Sequence, residues 1–177
     1  MNVIVVTGMP GAGKEEFVQV ARSLGYDVVR MGNAVRAEAK KQGIAETDKS
    51  IGGFADQERR LHGFDIWAKR SALNVRSERT IIDGSRGLDE MDIFRQFFGD
   101  GVLLVAIHSS PESRYPRLKK RGRPDAPASW TEFVARDKRE LGWGLGNLIA
   151  MADVMLLNDG EMDEFKAMVK AFLTGLG

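Results

Sequence analysis

The run VIVVT over residues 3–7 leads without a break into GMPGAGK over residues 8–14, and that junction constrains the chain more than any other stretch. An apolar, β-branched run reads as a strand buried on both faces, and a strand that ends in glycines at this spacing and a lysine builds a phosphate cradle. Glycine lets the backbone curl so that successive N–H groups point inward. The helix that follows offers its positive N-terminus, and Lys14 reaches the terminal phosphates of a nucleoside triphosphate. Gly8, Gly13 and Lys14 satisfy G-x-x-x-x-G-K, but the next position, where a Ser or Thr hydroxyl would ligate Mg²⁺, is Glu15. The competing reading is a glycine-rich turn that joins strand to helix by coincidence. The apolar run before the motif, and Phe17, Val18, Ala21 and Leu24 at helical spacing after it, favour phosphate binding. The expected set in contact with the nucleotide is Gly8, Met9, Pro10, Gly11, Ala12, Gly13, Lys14 and Glu15.

A chain of 177 residues is the size of one domain with one core. A formal charge of +1 supplies no global attraction to nucleic acid or acidic membrane, so any electrostatic function must come from local clustering. Cysteine is absent, which removes disulfides, thiolate metal sites and thiol nucleophiles and agrees with a reducing cytosol. Met1 leads into the first strand with no basic segment or small-residue cleavage site, and no apolar run approaches the roughly 18 residues of a membrane span. The expected location is the cytoplasm, with no membrane partner.

Short apolar runs alternate with helical patterns from end to end, the signature of a parallel sheet with helices on both faces. The pattern predicts strands over 2–7, 27–31, 79–83, 102–108 and 153–158, and helices over 14–24, 33–42, 54–77, 89–98, 111–121, 129–149 and 161–174. Asn33 and Ser129 are expected N-caps, Ser110 with Pro111 a cap and first-turn proline, and Gly25 and Gly43 terminators. Loops are expected over 43–53, 84–88 and 121–128. The second and third strands lie about forty-five residues apart, more than one crossover needs, so a helical insertion is placed over 33–77. Segment 121–128, rich in Pro, Gly and charge between two helices, reads as a short lid. The expected fold is α/β: a five-stranded parallel sheet layered between helices, a single domain with core 1–32, 78–120 and 129–177, the insertion and the lid.

Asp83 closes the apolar run of Ile81 and Ile82 and precedes Gly84, which puts a carboxylate at the carboxyl edge of the sheet, beside the phosphate loop. There it can hold Mg²⁺, directly or through water, against the plainer reading of an aspartate in an Asp-Gly turn. Glu15 is the awkward residue, because a carboxylate beside a triphosphate adds like-charge repulsion unless a cation lies between them. Two outcomes stay open: Glu15 turned to solvent while Asp83 and water hold the ion, or Glu15 as a ligand itself.

Phosphoryl transfer concentrates negative charge that positioned guanidinium groups neutralise without proton transfer. Arg36, Arg86, Arg117, Arg121, Arg123, Arg136 and Arg139 stand where such a site would want them, although a solvated helix face accounts for any one taken singly. Arg114, Arg117, Lys119, Lys120, Arg121 and Arg123 fall within ten residues and make a local positive patch. RNA is a second partner class for this patch, disfavoured because the flap carries no aromatic residue to stack bases. His62 and His108 have no second ligand at metal spacing, and Trp130 and Trp143 are expected to pack.

These stretches together resemble the nucleoside monophosphate kinase group of P-loop proteins, the adenylate-kinase-like family, and within it a small archaeal-type group related to the dephospho-CoA kinases. The similarity covers nearly the whole chain and implies a three-layer P-loop NTPase fold, with the strands in the order 2-3-1-4-5 and the insertion on the acceptor side. It lies in GMPGAGK at 8–14, MGNAVR at 31–36, similar to the acceptor-site G-D-x-x-R, and DGSR at 83–86, similar to D-G-x-x-R. It continues in RLKKRGRPD at 117–125, similar to a short lid, and in Ala152 and Asp153 leading to Asn158. The resemblance implies ATP and Mg²⁺ as cofactors and transfer of the γ-phosphoryl group to a small-molecule nucleotide or nucleotide-like acceptor. It implies Lys14 on the donor phosphates, Arg36 and Arg86 on the acceptor phosphate, Arg121, Arg123 and Arg136 closing over the transferring group, Asp83 on the metal, and Asn158 near the adenine. Three departures stand out: Glu15 for the hydroxyl, Asn33 for the acceptor-site Asp, and a lid without cysteines. The alternatives are a catalytically weak ATP-binding regulatory or RNA-associated protein, and a dephospho-CoA kinase-like activity, whose Asp-Ala-Asp after the second strand is missing. The residues set neither the acceptor nor the oligomeric state.

Overall fold

The computed structural model describes residues 2–45, 47–122 and 126–176, and its five parallel strands form one sheet in the order β2-β3-β1-β4-β5. The strands are β1 (Asn2–Thr7), β2 (Asp27–Arg30), β3 (Arg79–Asp83), β4 (Leu103–His108) and β5 (Val154–Leu157). Helices connect them: α1 (Lys14–Ser23), α2 (Met31–Lys41), α3 (Asp48–His62), α4 (Ile66–Ala72) and α5 (Leu88–Phe98), then α6 (Pro111–Lys120), α7 (Trp130–Gly142), α8 (Leu145–Ala150) and α9 (Met162–Gly175). Among the described residues no helix is long and apolar enough to cross a membrane.

The central strand explains the layering. Val3 and Val5 point into one apolar layer with Trp67, Ile82 and Phe94, while Ile4 and Val6 point into the other with Phe17, Phe165 and Leu173, as alternation along a strand requires. Helices α2, α4 and α5 therefore cover one face and α1 with α9 the other. Parallel register brings the carboxyl ends to one edge, with Val6 beside Asp83 and Arg30 beside Asp83.

Four sequence expectations shift. Asn33 is not an N-cap: α2 already starts at Met31, after Arg30, and the Asn33 Oδ1 accepts from Arg36 at 2.7 Å. The predicted 54–77 helix is two helices, because Gly63 at φ 100 turns the chain between α3 and α4. α3 also starts within the predicted 43–53 loop, where the Thr47 hydroxyl caps it by accepting from the Ser50 N–H, despite Gly52 and Gly53 inside. Likewise 129–149 divides into α7 and α8 at Gly144, φ 96. Other end signals hold. Ser129 and Ser110 accept from the N–H groups of Glu132 and Ser113, and Gly25 and Gly43 terminate helices at positive φ.

Candidate active site

The loop between β1 and α1 curls against β4. A Cβ on Gly8 would sit 2.4 Å from the Ile107 carbonyl oxygen, so the first glycine of the motif is demanded by close backbone approach. Gly13, φ 113, precedes α1, and a side chain there would strike the Asn158 amide at 2.3 Å. That amide is what holds the loop: Asn158, 1% exposed, donates from Nδ2 to the Ala12 carbonyl at 2.8 Å. A second support comes from buried Arg114, which donates to the Pro10 carbonyl at 3.1 Å and forms a two-pronged ion pair with Asp137 on α7. Lys14 folds back over the loop and donates to the Gly8 and Met9 carbonyls.

Three arginines line the same cavity as the loop, each oriented by a partner. Arg36 is held by Asn33. Arg86, in the loop after β3, donates through Nε to Glu140 at 3.2 Å and lies 5.5 Å over the Trp143 ring. Arg30, the last residue of β2, donates to the Glu15 carboxylate at 2.8 Å. Glu15 is therefore not turned to solvent; it bridges the start of α1 to the end of β2. The backbone beneath Arg86 is itself fixed, since buried Glu90 accepts from the Arg86 N–H at 2.6 Å and the Ser85 hydroxyl at 3.1 Å, and pairs with Arg59 of α3.

These groups surround one cavity of about 330 Å³. Of the sequence-derived candidates, Gly8, Pro10, Gly11, Gly13, Lys14, Glu15, Arg36, Asp83, Arg86, Arg121 and Arg136 line it. Met9 and Ala12 belong to the loop without lining the cavity, and Asn158 props the loop from behind. Arg123 lies outside the described residues, as do Pro124 and Asp125 of the lid. The basic stretch does not form a uniform patch: Arg114 is buried in its ion pair, and Arg117 donates to the Ser109 hydroxyl and the Asn158 carbonyl, both at 2.8 Å. Arg139 stacks on Trp143, which is half-buried between two guanidinium groups instead of in the core. Trp130 packs on Tyr115 and Phe133.

Charge in the cavity is predominantly positive. Burial pulls Lys14 down to about 8; Asp83 and Glu140 pull it back up, and Arg86 and Arg121 add to the depression. An ammonium in that condition gains from any polyanion that restores its partners. Among the described residues no three His, Asp or Glu side chains are placed to hold a metal. Asp83, with Glu15 committed to Arg30, leaves one available carboxylate beside Lys14. That donor set suits Mg²⁺, which takes one or two carboxylates and fills its remaining positions with phosphate oxygens and water.

The residues missed in sequence are the orienting partners: Arg30, Glu90, Asp137, Glu140 and Trp143. A signal existed for Arg30, the last residue of a strand whose carboxyl end faces the site. Glu140 and Asp137, three apart on α7, carried none, because their partners lie far away in the chain.

A family model described as an AAA domain matches residues 7–133. A UPF0200 protein of Thermoplasma acidophilum is 49% identical over 173 residues, covering 97% of this chain and 95% of that one. The fold superposes on a shikimate kinase from Bacteroides thetaiotaomicron with TM-score 0.66 at 16% identity, covering 97% of this chain and 98% of that one. A gluconokinase from Sinorhizobium meliloti gives TM-score 0.57 at 18% identity, covering 99% and 93%. The chain belongs to this AAA domain family and with the UPF0200 proteins.

Proposed function

We propose that the chain is an ATP-dependent phosphotransferase that moves the γ-phosphoryl group to a phosphate-bearing, nucleotide-like acceptor. The observation that carries this reading is the presence in one cavity of Lys14 and Asp83 with the guanidinium-bearing Arg36 of α2 and Arg86 of the loop after β3. A loop, a lysine and a carboxylate alone describe a nucleotide-binding site. Arg36 and Arg86 in the same cavity support a second anion site, which hydrolysis of ATP would not need.

In the reaction, an acceptor phosphate oxygen forms a bond to Pγ while the bond from Pγ to the β,γ-bridging oxygen breaks and ADP leaves with that electron pair. No general base is required, because the attacking oxygen is already anionic at neutral pH. Lys14 and the loop N–H groups hold the donor phosphates, Arg36 and Arg86 hold the acceptor, and Arg121 and Arg136 neutralise the transferring group and exclude water. Mg²⁺ supplies further charge neutralisation on the phosphate oxygens when bound, and Asp83 is the residue that would hold it. Arg123 is assigned with Arg121 from the resemblance alone. Asn158 acts through the loop it supports.

A coupled assay over nucleoside monophosphates, nucleosides and dephospho-CoA, with ATP and Mg²⁺, tests this. One phosphorylated acceptor, lost in Lys14→Ala with the fold intact, is the expected result. Tight ATP binding with slow hydrolysis whatever the acceptor would instead establish a regulatory ATP-binding protein. The Glu15–Arg30 pair, standing where a metal-binding hydroxyl is usual, is the observation favouring that second reading.

A further inference from the structure

The contact between Arg30 and Glu15 is explained by neither the phosphate-loop pattern nor the acceptor-side motifs. We propose that Arg30 is a third acceptor-binding guanidinium, aimed by Glu15, so that Glu15 is a positioning residue for a phosphomonoester acceptor and not a metal ligand. The inference rests on the phosphotransferase reading above and adds a residue and a substrate class to it.

Both side chains are about a quarter exposed, at 28% and 27%, and both line the cavity, so the pair is neither a surface ion pair nor a sealed one. Among the described residues the only side-chain hydrogen bond of Arg30 runs from one terminal nitrogen to Glu15. A guanidinium carries five N–H donors in a fixed plane, so a single bond sets its orientation and leaves donors for the oxygens of an anion. Arg36 and Arg86 follow the same pattern, each oriented by one partner, Asn33 and Glu140 respectively.

The three guanidinium groups come from the end of β2, the middle of α2 and the loop after β3, and their residues line one cavity. Glu15 and Glu140 already offset two of the three charges, so the class of acceptor follows from the N–H donors still unfilled: a hydroxyl accepts few of them, and a carboxylate has only two oxygens. A phosphate dianion, with three oxygens each accepting more than one hydrogen bond, fits them best. The anchor for Glu15 is the first turn of α1, so the acceptor-side Arg30 is tied to the helix that holds the donor phosphates. Giving the Glu15 carboxylate to Arg30 also removes the repulsion it would otherwise exert on a triphosphate.

Calorimetric titration of inorganic phosphate into protein saturated with a non-hydrolysable ATP analogue and Mg²⁺ tests the proposal. Arg30→Ala is expected to weaken phosphate binding by about tenfold or more, as loss of charge-assisted bonds does, with analogue affinity unchanged. Arg30→Lys keeps the charge without the fork and is expected to fall between; melting curves of both variants show that the fold survives. Glu15→Ala is expected to change phosphate affinity where Arg30 is present and to have no effect in the Arg30→Ala background, the mark of a coupled pair. Phosphate affinity in both Arg30 variants within about twofold of the parent overturns the proposal. So does a Glu15→Ala effect that is the same with and without Arg30, or one confined to the Mg²⁺ dependence of analogue binding. Failure of the unaltered protein to bind the analogue would overturn the phosphotransferase reading itself, and the proposal with it.

Discussion

Glu140 holds Arg86 from across the cavity, its carboxylate accepting the Arg86 Nε–H at 3.2 Å although 54 residues separate the two in the chain. With Trp143 stacked on the same guanidinium, Arg86 enters the cavity pre-oriented and loses little entropy on meeting an anion. Glu140→Ala is expected to raise the KM for the phosphoryl acceptor about tenfold, with a smaller change in the KM for ATP. Steady-state kinetics with each substrate varied in turn checks this. Equal changes in both KM values would place Glu140 in general scaffolding.

Asn158 predicts a different split. Its Nδ2 carries the Ala12 carbonyl, while its Oδ1 has no hydrogen-bond partner among the described residues. Truncation to Ala loses one bond but also removes a buried polar atom that gains nothing from folding, so the stability cost is set at about 1 kcal/mol. Asn158→Asp is expected to cost more than Asn158→Ala, because the carboxylate faces the Ala12 carbonyl with no N–H to give. Urea unfolding and ATP calorimetry on the two variants test the order, and an Asp variant as stable as the Ala variant would refute it.

Lys14 carries the pH dependence. In the free protein it titrates near 8, and a bound triphosphate, adding negative charge beside it, raises that value. ATP binding then takes up a proton above about pH 8, so affinity is level below that pH and falls as pH rises through it, by at most about tenfold per unit. The folding contribution has the opposite slope: a lysine lowered from 10.5 to about 8 on folding holds fewer protons in the native state, so stability rises across that window. Calorimetry in buffers of differing ionisation enthalpy reads the proton uptake directly. An affinity that stays flat through the window contradicts the assignment.

The central strand and the phosphate loop were legible because both are written locally, whereas the sheet order came with the family resemblance. Val3 to Val6 bury on both faces, and Gly8, Gly13 and Lys14 stand at fixed spacing. Asp83 was legible for the same reason, as a polar residue closing an apolar strand. Helix boundaries were less so. Gly63 and Gly144 turn the chain at positive φ inside segments whose apolar period runs on unbroken, and Gly52 and Gly53 sit inside α3 against their propensity because the helix packs through Phe54 onto Trp67. Least legible was the wiring of the arginines. That Arg114 is a buried strut and not part of a basic patch depends on Asp137, and that Glu15 is paired depends on Arg30. A single sequence records no distance between them.

Buried Glu90 gives the sharpest asymmetry. It pairs with Arg59, which among the described residues makes no other side-chain hydrogen bond, and it also accepts from the Ser85 hydroxyl and the Arg86 N–H. Removing Arg59 leaves Glu90 two donors, so Arg59→Ala is expected to cost about 1–3 kcal/mol. Removing Glu90 strands a buried guanidinium and orphans both donors of the Arg86 loop, so Glu90→Ala is expected to cost about 3–5 kcal/mol. It is also expected to weaken acceptor binding, which Arg59→Ala should spare, because only Glu90 touches the backbone that carries Arg86. Denaturant unfolding of the two variants, with acceptor KM measured on each, separates a shared ion-pair energy from this directional one. Equal costs and equal KM values would mean that α3 and the Arg86 loop are held by the pair alone.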